Sequence, residues 1–311
     1  MKKFILPFVL LLLVVKVSAQ ADSVYLFCYF KGNGDGLHYA YSNDGYRWKA
    51  LFNDSVVLRP AVSHDRLFRD PCITRGADGN YHAVWTVSWA DRGIGYASSP
   101  DLIHWSEQQF IPVMMHEDSA RNTWAPEITY DAKSRQYLVY WASTIPGRFP
   151  QNDTSAEGQK NNHRIYYSST NDFKTWTKAK LLYEPGFSVI DATIVPDGNR
   201  YVMFLKNETR APAEKNIRVA FAKKITGPYS APGAPITGNY WAEGPSVLRI
   251  GEQWIVYFDK YRDHKYGAVK STDLVHWTDI SDKVEFPKGI RHGTAFVVPR
   301  SVFEQLVKIK E

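Results

Sequence analysis

Four twelve-residue segments of this 311-residue chain align without a gap: LHYAYSNDGYRW (37–48), IGYASSPDLIHW (94–105), IYYSSTNDFKTW (165–176) and YGAVKSTDLVHW (266–277). Each carries Ser or Thr at the sixth place, Asp at the eighth and Trp at the twelfth. A degenerate fifth copy, IRVAFAKKITGPY (217–229), has one extra residue and ends on Tyr229. Repeats spaced near fifty residues mark propeller blades or solenoids, in which each unit buries one face only against its neighbour. Asp and Ser or Thr in such a segment bond nearby backbone amides and close a turn, and the Trp packs back on its sheet. Asp44, Asp101, Asp172 and Asp273, with Trp48, Trp105, Trp176 and Trp277, are therefore expected to be structural.

A strand-like run precedes every copy: SVYLFCYF (23–30), NYHAVWTVSW (80–89), QYLVYWAS (136–143), RYVMFLKN (200–207) and QWIVYFDKY (253–261). These runs are rich in aromatic and β-branched residues and follow turn formers. A third element comes earlier still in each unit: RDPCIT (69–74), WAPEITY (124–130), DATIVP (191–196), EGPSVLR (243–249) and HGTAFVVP (292–299). The last has no strand pair after it, so it is expected to complete the blade begun by residues 23–51. The expected fold is all-β: five blades of four antiparallel strands, closed into a ring by the C-terminal channel strand and leaving no open sheet. A helix of more than a turn or two is expected only at 301–309.

In a ring of this kind the first strands of all blades run in one direction around a central channel, so their starts meet at one face. That places Asp70, Glu127, Asp191, Glu243 and His292 together. Clustered carboxylates repel one another, shift their pKa values and suit acid–base work. The same face receives the loops bearing Trp89, Trp124, Trp141 and Trp241, whose rings suit the apolar faces of sugars, and the long polar loop 143–164. Asp78, in the turn Ala77-Asp78-Gly79, is expected only to form that turn.

Composition bounds the rest. Residues 1–19 read as a secretory signal peptide: Lys2 and Lys3, an apolar run over 4–15, then Val17-Ser18-Ala19. Export to the periplasm or outside the cell follows from it, and residues 20–311 are left as one catalytic domain. The formal charge is +6, or +3 once Lys2, Lys3 and Lys16 are set aside, and the basic residues are scattered. Nucleic acid is thus not an expected partner, nor is a membrane after leader removal, and a monomer is expected. Cys28 and Cys72 each sit in an apolar run, which favours two small buried thiols over a disulfide. Neither a Ser or Cys nucleophile arrangement nor a Cys/His zinc spacing is present.

RDPCI, WAPEI, IDATI, WAEGP and RHGTA follow one another in the order seen in glycoside hydrolase family 43, which the chain resembles over nearly its whole length beyond the leader. The resemblance implies an inverting glycosidase acting on arabinan, xylan and related plant polysaccharides. It implies Asp70 as general base, Glu243 as general acid and Asp191 as the residue that orients and tunes the acid. Glu127, Arg291 and His292 would then line the substrate site, with Arg69 or Arg291 keeping a neighbouring carboxylate ionised. A central cation, such as calcium, or an ordered water would stand near His292, and no other cofactor is expected.

Inversion needs the base and acid about 6.5–9.5 Å apart, to leave room for the attacking water. Within such a family an exo-acting α-L-arabinofuranosidase is the preferred expectation, with β-xylosidase and endo-acting xylanase, arabinanase or galactanase as alternatives. The competing class is a non-catalytic sugar-binding propeller, which would not need three acids so placed. Sialidases also carry Ser-x-Asp…Trp boxes, but with the Trp one residue further on and six blades.

Overall fold

In the computed structural model, which describes residues 22–152 and 161–309, each repeat closes a tight turn as its composition demands. Ser99 Oγ accepts the Leu102 amide at 2.8 Å, while Asp101 Oδ1 accepts those of Ile103 and His104 at 3.0 and 2.8 Å. Ser42–Asp44, Thr170–Asp172 and Ser271–Asp273 do the same. The four tryptophans pack as expected; Trp48 stacks on Phe286, and Trp277 meets Phe204 edge-on.

The turns tie antiparallel strands into five sheets set around a ring. From the inside outward, blade 1 is Thr294–Pro299, Ser23–Tyr29, His38–Ser42 and Lys49–Ala50. Blade 2 is Arg69–Arg75, Tyr81–Thr86, Ile94–Ser99 and Gln109–Ile111. Blade 3 is Trp124–Asp131, Gln136–Thr144, His163–Thr170 and Lys180–Tyr183. Blade 4 is Val189–Asp197, Arg200–Asn207 and Asn216–Ala222, and blade 5 is Glu243–Ile250, Gln253–Lys260, Lys265–Ser271 and Thr278–Asp279. The protein is a five-bladed β-propeller, and its ring closes as expected: Thr294–Pro299 pairs with Ser23–Tyr29, Thr294 opposite Cys28.

Blade 4 departs from the expected four strands. Its outer edge is the segment 230–236, in which Ser230, Gly233 and Ile236 donate their amides to Phe221, Val219 and Ile217. Pro232 and Pro235 have no N–H to offer and hold this edge out of a regular ladder. One helix, Arg300–Ile309, follows the last inner strand and seats Leu306 in the core between blades 1 and 2. The leader residues, and residues 153–160 of the long loop, lie outside the described residues.

Five buried apolar clusters hold the ring, one in each gap between neighbouring blades. Burial of this non-directional kind sets blade against blade without fixing the channel polar groups. Hydrogen bonds across the inner strands fix those. The Ala125 amide donates to Thr86 Oγ1 at 2.8 Å, joining blades 2 and 3, and the Ile194 amide donates to the Tyr140 hydroxyl at 2.9 Å, joining blades 3 and 4. The Gly244 amide donates to Asp191 Oδ2 at 3.0 Å, the Ala295 amide to Ser246 Oγ at 2.7 Å, and Thr294 Oγ1 to the Pro71 carbonyl at 3.1 Å, completing the circle.

Candidate active site

Four inner strands carry the same irregularity near their starts. Pairing with the second strand slips between Arg69 and Cys72, Trp124 and Glu127, Ile190 and Thr193, and Glu243 and Ser246. Within each slip one residue takes a left-handed backbone: Asp70 (φ 51°), Ala125 (φ 46°), Asp191 (φ 52°) and Gly244 (φ 61°). Bulges re-aim side chains, and a left-handed conformation at a non-glycine residue persists only where the surroundings enforce it. Here the two aspartates so placed turn into one cleft of about 500 Å³.

Gly244 is required by contact as well as by conformation, because a Cβ there would sit 2.4 Å from the His292 ring. That ring is the centre of the site. Its Nδ1 lies 3.4 Å from Asp70 Oδ1 and 3.9 Å from Asp191 Oδ2. Burial opposes a charge on the imidazole, but Asp191 and Asp70 prevail and raise its pKa to about 9. Burial likewise opposes ionised Asp70; Arg69, His292 and the Thr86 hydroxyl at 3.0 Å outweigh it, so Asp70 falls to about 2. Asp191 goes the other way: burial raises its pKa, and Glu243 and Asp70 add to this against the pull of His292 and Lys206. One aspartate is thus held as an anion, and its neighbour is pushed toward its neutral form.

Glu243 opens the inner strand of blade 5 and is gripped from two sides. Lys206 Nζ stands 3.0 Å from its Oε2, and Arg291 stands 3.6 Å from its Oε1. Each cation has a second carboxylate behind it. Lys206 reaches Glu208 at 2.9 Å, and Arg291 Nε donates to Asp259 at 2.7 Å. Asp191 bonds the amide of Gly244, next in the chain, so it fixes the peptide that carries Glu243.

Asp70, Asp191, Glu243, His292, Trp89, Trp124 and Trp241 line the cleft as the sequence led us to expect. Two expected lining residues do not, and a third acts at one remove. Glu127 lies deeper in the channel, buried and bonded by Thr193 and by the Tyr140 hydroxyl at 3.1 Å, and burial raises its pKa to about 7. Alignment on the bulge explains the difference: Glu127 matches Cys72, Thr193 and Ser246, not Asp70. Trp141 is 1% exposed and belongs to the core between blades 2 and 3. Strand alternation points it at the neighbouring blade, as it does Trp85, which is buried against Phe68. Arg291 is not on the cleft wall and meets the site through Glu243.

Lys206, Glu208, Arg210, Lys215, Tyr261 and Arg262 line the cleft without having been singled out. They sit where blades 4 and 5 turn from the second strand to the third; nothing in composition told which side chains would turn inward. Cys28 and Cys72 are free and buried, as expected.

The family described as "Probable glycosyl hydrolase domain", related to glycoside hydrolase family 43, matches residues 21–304. An α-L-arabinofuranosidase of Bifidobacterium longum subsp. longum is 25% identical over 76% of this chain, which spans only 26% of that relative's length. Among solved structures, a thermostable family-43 glycoside hydrolase superposes with a TM-score of 0.53 at 15% identity, over 73% of this chain and 81% of its own. An α-L-arabinofuranosidase from Lactobacillus brevis gives 0.52 at 19% identity, over 68% and 72%. These structures share the propeller, and the match over residues 21–304 settles membership: the chain belongs to the glycosyl hydrolase family related to glycoside hydrolase family 43.

Proposed function

We propose that the protein hydrolyses glycosidic bonds with inversion, with Asp70 as base, Glu243 as acid and Asp191 as the residue that positions the acid. The observation that carries this reading is the division of labour between two buried aspartates on equivalent bulges: Asp70 is held ionised while Asp191 is pushed toward neutrality. Asp70 takes a proton from water as the water oxygen attacks the anomeric carbon. The bond from that carbon to the leaving oxygen breaks, and Glu243 gives its proton to that oxygen. Trp89 and Trp124 supply apolar walls for the ring. The preferred substrate is a terminal α-L-arabinofuranosyl group, supported by the arabinofuranosidase relative; a β-xylosyl group is the alternative, and endo action on xylan, arabinan or galactan a further one.

This reading routes no step through a cation. Calcium takes six to eight oxygen ligands, whereas the Asp70 and Asp191 carboxylates face the imidazole of His292, which carries the positive charge at the channel mouth. The leader supports export and action on glycans outside the cytoplasm; we propose that the protein acts there as a monomer.

A second reading rests on the two cations that grip Glu243: Asp191, with its raised pKa, would then be the proton donor. A panel of aryl α-L-arabinofuranosides, β-D-xylosides and β-D-galactosides with good and poor leaving groups separates the two. The variant lacking the acid retains activity only on good leaving groups, so Glu243→Gln showing this selectivity, and Asp191→Asn not, supports the first reading. Proton NMR of the first-formed product must show the opposite anomer; retention sinks inversion under either reading.

A further inference from the structure

The cleft is not a set of bare aromatic platforms. The Arg262 guanidinium carbon lies 3.7 Å over the Trp241 ring, and that of Arg69 lies 4.7 Å over Trp89. Along the wall from blade 4 to blade 5, Lys206, Arg210, Lys215 and Arg262 face the cleft. Glu208 absorbs the first three only unevenly: Lys206 at 2.9 Å and Lys215 closely, but Arg210 only at 3.8 Å. Arg262 forms no ion pair among the described residues. A neutral pentose or hexose gives such guanidinium groups nothing to neutralise, and each presents a donor fork that matches two oxygens of a carboxylate or of a tetrahedral oxyanion.

We infer that this wall, Arg262 and Arg210 with Lys215 beside them, is a subsite for a sugar bearing an anionic substituent, a uronic carboxylate or a sulfate ester. The inference rests on the cleft being a glycan site, as proposed above. It adds that the favoured glycan is charged at the residue lying beside Trp241, over whose ring the guanidinium of Arg262 sits. Lys206 is committed to Glu208 and Glu243 and takes no part.

Calorimetric titration of the full chain tests this with D-glucuronate, D-galacturonate, D-galactose 6-sulfate, and the neutral D-glucose, D-galactose and L-arabinose. At least one charged sugar should bind more tightly than its neutral parent, and the preference should weaken as salt rises. Arg262→Gln should cut that preference roughly 10- to 100-fold, the worth of one charge-assisted hydrogen bond. Arg262 is exposed, so its replacement spares the core, and Arg210→Gln provides a second variant. Tight binding of uronates alone, or of the sulfate alone, supports the subsite and names the substituent. Equal binding of charged and neutral sugars, or a preference that survives both variants, overturns it. Hydrolysis of neutral glycosides with no charge preference would sink this inference and leave the hydrolase reading standing; charge-selective binding with no hydrolysis of any glycoside does the reverse.

Discussion

His292 Nδ1 lies 3.4 Å from Asp70 Oδ1, the last inner strand of the ring reaching the first of the next blade. The pair joins residues 222 positions apart in a 311-residue chain, and it exists only because the C-terminal strand closes on the N-terminal blade. Its electrostatics make several consequences measurable.

The charge on His292 is a stability term with a defined sign. Its folded pKa, about 9, stands above the unfolded value of ~6.5. The folded state therefore holds a proton that the unfolded chain releases, and the stabilisation, complete below ~6.5, is lost as pH rises through about 9. Denaturant midpoints should fall between pH 7 and 9.5 in the wild type and fall less steeply in His292→Gln. Equal slopes would show that the imidazole is not the group responsible.

Asp70 behaves in the opposite sense. With a folded value of about 2 against ~3.9 unfolded, its contribution is present above the unfolded value and disappears as pH falls toward 2. Asp70→Asn should thus narrow the gap in stability between pH 5 and pH 2.5. The same variant should lose roughly 100- to 10,000-fold in kcat, the usual worth of a general base. Circular dichroism at pH 7 establishes that the variant is folded.

Asp78, eight residues further on, serves as the control. It accepts from Asn80 and faces His82 at 3.1 Å, far from the cleft wall. Asp78→Ala should cost about 1 kcal/mol of stability and leave kcat/KM within twofold of the wild type, on the scale of an untouched site. A loss of activity matching that of Asp70→Asn would mean that the blade geometry assigns the two aspartates wrongly.

Gly244→Ala should be costly twice over. Its Cβ would stand 2.4 Å from the imidazole, and its backbone is left-handed at φ 61°. Overpacking of this kind costs typically ~1–3 kcal/mol. Because the atom displaced is His292 itself, activity should fall more steeply than stability. A variant with wild-type Tm and activity would show that the ring can move aside freely.

Cys28 and Cys72 should be inert in the native protein. Burial pushes the Cys28 thiol up to about 12 and raises Cys72 well above its ordinary value, and the thiolate is the reactive form. A thiol reagent should label neither at pH 8 and both in denaturant. Labelling of the native chain would place at least one sulfur at the surface.

The order and number of blades were legible in the sequence because their causes are local. Ser42 and Asp44 bond amides two or three residues away, so the turn is written in adjacent letters; its recurrence at Asp101, Asp172 and Asp273 marks four of the five blades, and the degenerate copy over 217–229 marks the other. The convergence of Asp70, Asp191, Glu243 and His292 followed from that count, since strands entering a ring from one side must meet. What the letters did not reveal was depth and facing. Glu127 looks like another strand-opening acid, yet the bulge sets it beyond the cleft, and Trp141 resembles a rim aromatic but alternation turns it into the gap between blades. The prolines that blunt the edge of blade 4 were visible without their consequence. The grip of Lys206 and Arg291 on Glu243, and the guanidinium over Trp241, depend on which loop side chains fold inward across blades. Short-range hydrogen bonding and strand periodicity act along the chain and can be read from it. Charge pairing and burial act through space, between residues whose separation is fixed only when the ring closes.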